Sequence, residues 1–220
     1  MLPPRTLAIG DIHGCLPALE SLLAVIGPRT SDTLVTLGDY VDRGIDSRGV
    51  LERLLRLGRE CHLVSLLGNH DQMMLQICEG HSELYIDWLM FGGNETLRSY
   101  GSLRPERIPT SHIDFLRNCQ LIYETETHFF LHGNYLADVP LDDQPEDVLL
   151  WDSLKERLPG PHFSGKTAIV GHASQKNGEV LDLGYLKCID TRCYDTGWLT
   201  VLDVGSGQVW QANKEGHLRK

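Results

Sequence analysis

Leu7-Ala8-Ile9 followed by Gly10-Asp11-Ile12-His13-Gly14 decides the fold, because the same arrangement returns twice. Leu34-Val35-Thr36-Leu37 precedes Gly38-Asp39-Tyr40-Val41-Asp42-Arg43-Gly44, and Leu63-Val64-Ser65-Leu66-Leu67 precedes Gly68-Asn69-His70-Asp71. Short aliphatic runs of this kind read as buried parallel strands. Each would deliver its polar run to a strand's carboxyl end, where open α/β sheets bind ligands. Asp11, His13, Asp39, Asn69 and His70 are therefore expected to converge.

Working outward, Pro17 to Ile26 carries apolar residues at helical spacing and ends at Gly27-Pro28, giving a β-α-β start. Ser47 is the expected cap of a helix from Arg48 to Leu57. After the third strand, Asp71 to Phe91, Asn94 to Tyr100 and Ile113 to Asn118 read as helical, an insertion of roughly fifty residues. Leu121 to Tyr123, His128 to Leu131, Thr167 to Val170 and Tyr185 to Ile189 read as a second block of strands, with a helix from about Pro145 to Leu158. Trp198 to Val204 and Gln208 to Gln211 flank Gly205-Ser206-Gly207 as a hairpin. The expected fold class is a layered α/β-β/α sandwich with a helical insertion after the third strand, one domain over residues 1–220.

Hydrophobic residues make up 41% and charged residues 23% of the 220, an ordinary globular composition. No apolar run is long enough for a signal peptide or a membrane span, so a cytoplasmic protein without a membrane partner is expected. The six cysteines contain no CxxC pair and read as free thiols, Cys15 as a small buried hydrophobe. A formal net charge of -10 argues against nucleic acid as a partner.

Asp11 and His13 stand two apart and share a face if the chain stays extended, which suits them to one metal ion. Asp39 is the candidate bridge, since a carboxylate can span two ions and an imidazole cannot. Asn69, His132 and His172, each in a glycine-flanked run at a strand end, would complete a second site. Oxygen and imidazole donors suit manganese, iron or zinc. Two dications bring about +4 against about -3 from Asp11, Asp39 and a bridging hydroxide, so the site attracts phosphate within an acidic protein. His70 is left to protonate the leaving oxygen, Asp42 to orient it, and Arg43 to fork onto phosphate oxygens. Asp71 reads as a helix N-terminal charge, and His62, His81, His112, His128, His162 and His217 as structural or solvated. Trp88, Leu89 and Phe91 read as core.

Together these runs, with His132-Gly133 and Gly171-His172, resemble the phosphoprotein phosphatase branch of the calcineurin-like metallophosphoesterases. Trp88 to Asn94 with Thr96-Leu97 is similar to the bacterial members, small serine/threonine protein phosphatases and diadenosine tetraphosphate hydrolases. The resemblance implies one metal on Asp11, His13 and Asp39 and another on Asp39, Asn69, His132 and His172. It also implies His70 with Asp42 as acid, Arg43 on phosphate, and Mn2+ as the usual ion. Where relatives carry a second arginine clamp two residues after the counterpart of Trp151, this chain has Asp152-Ser153; Lys155, Arg157 and Arg192 are the candidate substitutes, Arg192 foremost. Asn134 also departs from the family's usual small residue. The expected activity is that of a serine/threonine protein phosphatase, a bridging hydroxide attacking phosphorus in line, on a phosphorylated protein or small phosphoester. The alternatives are a dinucleoside polyphosphate hydrolase and a catalytically silent phosphate-binding protein.

Overall fold

The computed structural model describes residues 3–220; Met1 and Leu2 lie outside the described residues. Two five-stranded mixed sheets form the centre, in the orders β10-β9-β1-β2-β3 and β4-β5-β6-β8-β7. In the first, β1 (Thr6–Ile9), β2 (Thr33–Thr36) and β3 (His62–Ser65) run parallel, and β9 (Leu199–Asp203) with β10 (Val209–Ala212) closes the sheet antiparallel beside β1. In the second, β5 (His128–Leu131), β6 (Thr167–Val170) and β8 (Leu186–Cys188) are parallel, edged by β4 (Ile122–Glu124) and β7 (Leu181–Asp182). The two-residue β7 has no clear sequence signal.

Side-chain alternation sorts the core into three layers. Leu7 and Ile9 of β1 pack against α1 (Leu16–Ile26) and α2 (Ser47–Glu60), while Ala8 turns to the other sheet. In the same way Phe129 and Leu131 of β5 face outward, and Phe130 meets Val35, Leu37 and Ile169 between the sheets. Both faces of the strands are thus covered, which is why they read as continuous aliphatic runs.

The expected insertion is built from α3 (Asn69–Cys78), α4 (Tyr85–Trp88), α5 (Asn94–Ser99) and α6 (Thr110–Arg117), with a π-type turn at Leu89–Gly93. α7 (Glu146–Trp151) is six residues, shorter than the Pro145 to Leu158 expected. The cap of α2 is Asp46, whose carboxylate accepts from the Gly49 amide at 2.8 Å, not Ser47. Ser47 points inward, where its hydroxyl accepts from the Asp42 amide at 3.1 Å.

Candidate metal centre

Every proposed ligand sits on the loop after a strand or at the first turn of the helix that follows: Asp11 and His13 after β1, Asp39 after β2, Asn69 opening α3, His132 after β5 and His172 after β6. The β-α connections at one edge of two sheets bring them together. The chain does not stay extended between Asp11 and His13, as the spacing argument assumed. His13 is left-handed at φ 42°, as are Asp39, Asp42, Arg43, His172 and Arg192, and these are all the non-glycine residues with positive φ among those described. Such conformations cost roughly 1–3 kcal/mol each and persist where the surroundings impose them. Here all six fall on candidate site residues.

Asp39 stands between two clusters, His13–Asp39–His70 and Asp39–His132–His172. One of its oxygens, Oδ2, faces His13 Nε2 at 3.4 Å; the other, Oδ1, faces His132 Nε2 at 3.5 Å and accepts from the His70 amide at 3.0 Å. A side chain at position 68 would collide with Oδ1, so only glycine fits there. Asp11 belongs to neither tight cluster; its carboxylate accepts from the His172 amide at 3.0 Å.

The imidazole tautomers follow from their outer partners. His13 Nδ1 donates to the Val41 carbonyl at 2.8 Å and His132 Nδ1 to the Leu37 carbonyl at 2.8 Å, leaving Nε2 of each as an acceptor. The His172 ring bonds the Trp151 carbonyl, and its Nδ1 turns inward. His132 Nε2 and His172 Nδ1 each lie 3.0 Å from Asn69 Oδ1. Three acceptor atoms therefore converge with no proton to share, an arrangement that a cation satisfies.

Electrostatics agree. Burial pushes the pKa of His13 and His132 down, and that of His172 to about 4, so the rings are neutral donors at pH 7. Burial raises Asp11, and the Asp190 and Asp39 carboxylates raise it further. Burial also works to raise Asp39, but the surrounding imidazoles outweigh it and hold Asp39 below the usual carboxylate range. The donor set fits two divalent ions: Asp11, His13 and Asp39 could hold one, and Asp39, Asn69, His132 and His172 the other.

His70 keeps its ring beside this centre. Its Nδ1 is 2.8 Å from Asp42 Oδ2, and its ring meets His13 edge-on at 4.9 Å between centroids. Asp42 is fully buried and receives Trp88 Nε1 at 3.0 Å and Thr96 Oγ1 at 2.7 Å. Burial raises its pKa, with the His70 bond opposing. Trp88 is thus core, as expected, but also a donor to Asp42, a role that its sequence context does not reveal. Phe91 is not core: it is 52% exposed, with its ring 6.3 Å from that of His70.

Arg43 NH1 lies 2.9 Å from His13 Nε2, and its backbone amide donates to the Gly92 carbonyl. Arg192 pairs with Asp195 at 3.1 Å, and its buried Nε has no partner among the described atoms. Of the other candidate clamps, Arg157 pairs with Asp152 and donates to the Tyr135 carbonyl, which leaves it structural, and Lys155 is exposed. Asn134 is also structural, donating to the Arg157 carbonyl and accepting from the Tyr135 amide. Asp71 caps α3, its carboxylate accepting from the Tyr40 and Gly68 amides. All six cysteines are free, and Cys15 is buried. Among the described residues no helix is long and apolar enough to cross a membrane.

A family model, calcineurin-like phosphoesterase, matches residues 4–197. The chain belongs to this family. Within it, serine/threonine-protein phosphatase 1 of Salmonella typhimurium is 34% identical over 161 residues, 68% of each chain. The symmetrical bis(5'-nucleosyl)-tetraphosphatase of Acidovorax sp. is 49% identical over 73 residues, which span 33% of this chain and only 25% of that protein. A crystal structure of a candidate diadenosine tetraphosphatase superposes with a TM-score of 0.72 at 25% identity, covering 96% of this chain and 95% of that one. As a calcineurin-like phosphoesterase, the chain has the layered fold expected from its sequence and a family assignment that implies a binuclear metal centre.

Proposed function

We propose that the chain is a two-metal phosphoester hydrolase, most simply a phosphatase acting on phosphoserine or phosphothreonine in proteins. The observation that carries the reading is Asp39, with one oxygen toward His13 and the other toward His132 in the cluster it forms with His172. Bound divalent ions, Mn2+ first among them, would supply charge neutralisation of the phosphoryl oxygens and a water acidic enough to ionise near neutral pH.

The protein's own groups do the rest. Arg43 offers a planar fork to non-bridging oxygens, and Arg192 a second cation. His70 gives a proton to the departing alkoxide, while Asp42 holds its Nδ1 and leaves Nε2 as the atom available for the transfer. With ions bound, charge, nucleophile and acid would be together in one site, and no phosphoenzyme intermediate would be required.

A second reading, hydrolysis of a dinucleoside polyphosphate, is favoured by the likeness to the candidate diadenosine tetraphosphatase over nearly the full chain. The test is turnover by metal-stripped protein, before and after Mn2+, on a phosphoserine peptide and on diadenosine tetraphosphate at equal concentration. Peptide turnover at least tenfold faster supports the phosphatase; the reverse ratio transfers the reading to the nucleotide; no turnover on either, with both ions bound, contradicts both.

A further inference from the structure

Two guanidinium groups share one aromatic ring at the edge of this site. The Arg43 guanidinium carbon stands 4.6 Å from the centroid of the Tyr194 ring, and that of Arg192 stands 5.9 Å from it. The same ring meets His13 edge-on, 5.1 Å between centroids at 85°. Guanidinium groups within about 6 Å of an aromatic face are attracted to it, more strongly when desolvated.

The backbone shows that this grouping is imposed and not incidental. Arg43 and Arg192 are left-handed at φ 67° and 63°, so each side chain leaves a conformation that non-glycine residues seldom adopt. Gly92 holds Arg43 from the other side: a Cβ there would lie 2.6 Å from the Arg43 nitrogen. Arg192 has an orphaned Nε, a donor that its partner Asp195 does not satisfy. Tyr194 itself is only half-buried and lines a cavity of about 430 Å³ with Cys15, Pro17, Arg43, Ile45 and Lys214. The ring packs against the edge of the core on one side and borders this cavity on the other.

We propose that Tyr194 is a positioning residue whose ring fixes Arg43 and Arg192 as a paired clamp for a phosphoryl group. Asp195 ties Arg192 and His13 ties Arg43 singly, whereas the shared π face holds the two like charges in one arrangement without adding a counter-charge. The clamp then meets the phosphate with less ordering still to be done. This proposal rests on the reading that the site binds phosphoryl groups.

The test uses Mn2+-loaded protein and inorganic phosphate, measured by titration calorimetry, beside KM and kcat on an aryl phosphate. Tyr194→Leu should weaken phosphate and raise KM about three- to tenfold, with kcat within about twofold and two ions retained. Tyr194→Phe should restore wild-type values, because the ring and not the hydroxyl does the positioning. Arg192→Ala should cost less in the Tyr194→Leu background than alone, the signature of a shared unit. Tyr194→Met serves in the same comparison if the leucine variant does not fold. Phosphate affinity unchanged in Tyr194→Leu, a phenylalanine variant as weak as leucine, or loss of an ion would each overturn the proposal. A wild-type protein that neither binds phosphate nor turns over substrate sinks the hydrolase reading itself, a different result from wild-type binding that the variants leave intact.

Discussion

The two clusters that share Asp39 are held in different ways. On the His132 and His172 side, the outer partners are backbone carbonyls, those of Leu37 and Trp151. On the His13 and His70 side, one carbonyl fixes the His13 ring, and the other groups around the rings are side chains: Asp42 on His70, Trp88 and Thr96 on Asp42, Tyr194 on His13 and Arg43. A carbonyl-held ligand depends on the fold alone, whereas a side-chain-held group can be tuned by single substitutions. Metal retention and catalytic efficiency should therefore separate along this line.

The largest effect tests the carbonyl-held half. His132→Ala should abolish detectable turnover and lower the metal content from two ions toward one, read by elemental analysis of the folded variant. Two retained ions with turnover intact would break the comparison at its root.

Asp42→Asn comes next, expected to cut kcat by about 10²–10³, the lower part of the range for losing a poised acid, with both ions kept. An equal loss of metal would show that Asp42 serves the centre and not His70.

Trp88→Phe sharpens the same half more gently. It removes the indole donor to Asp42, a bond to a charged group worth about 1.5–3 kcal/mol, while keeping most of the ring. Stability should fall by that amount in a denaturant titration, and kcat by about tenfold, since outer partners typically matter 10–100-fold.

The smallest effect on activity is expected far from both halves. Asp32, at the opposite end of the first sheet, is fully buried and accepts from the side chains and amides of Arg5 and Arg29. Burial alone would raise its pKa, but these bonds prevail and hold it well below the usual carboxylate value. A depressed folded-state pKa means stability present above the unfolded value near 4 and lost as pH falls through the folded one. Asp32→Asn should cost about 2 kcal/mol at pH 7, a deficit that shrinks steadily below pH 4, with kcat unchanged. A deficit constant from pH 7 to pH 3 would contradict the sign.

The half of the site that the first sheet delivers was legible because three buried strands each end in a polar run and the three recur in order; any one of them alone reads as an ordinary turn. His132 and His172 were legible as strand-end histidines beside glycine. What holds them was not: the carbonyl of Leu37 lies 95 residues from His132. Trp88 and Thr96 reach Asp42 across 46 and 54 residues, so they read as core or as helix. The left-handed backbone of His13 defeated the two-residue spacing argument, because alternation holds only while a strand continues. The short α7 had helix-compatible residues beyond Trp151, but the backbone turns extended at Asp152, with ψ 125°, and Asp152 pairs with Arg157 across the loop that follows.

The most direct measurement of the central claim is the metal content and aryl phosphate turnover of Asp39→Asn beside wild type, after stripping and reloading with Mn2+. If one carboxylate serves both clusters, wild type holds two ions and turns over, while Asp39→Asn loses turnover and cannot be loaded to two ions at any concentration that saturates wild type. Two ions and undiminished turnover in Asp39→Asn would contradict it.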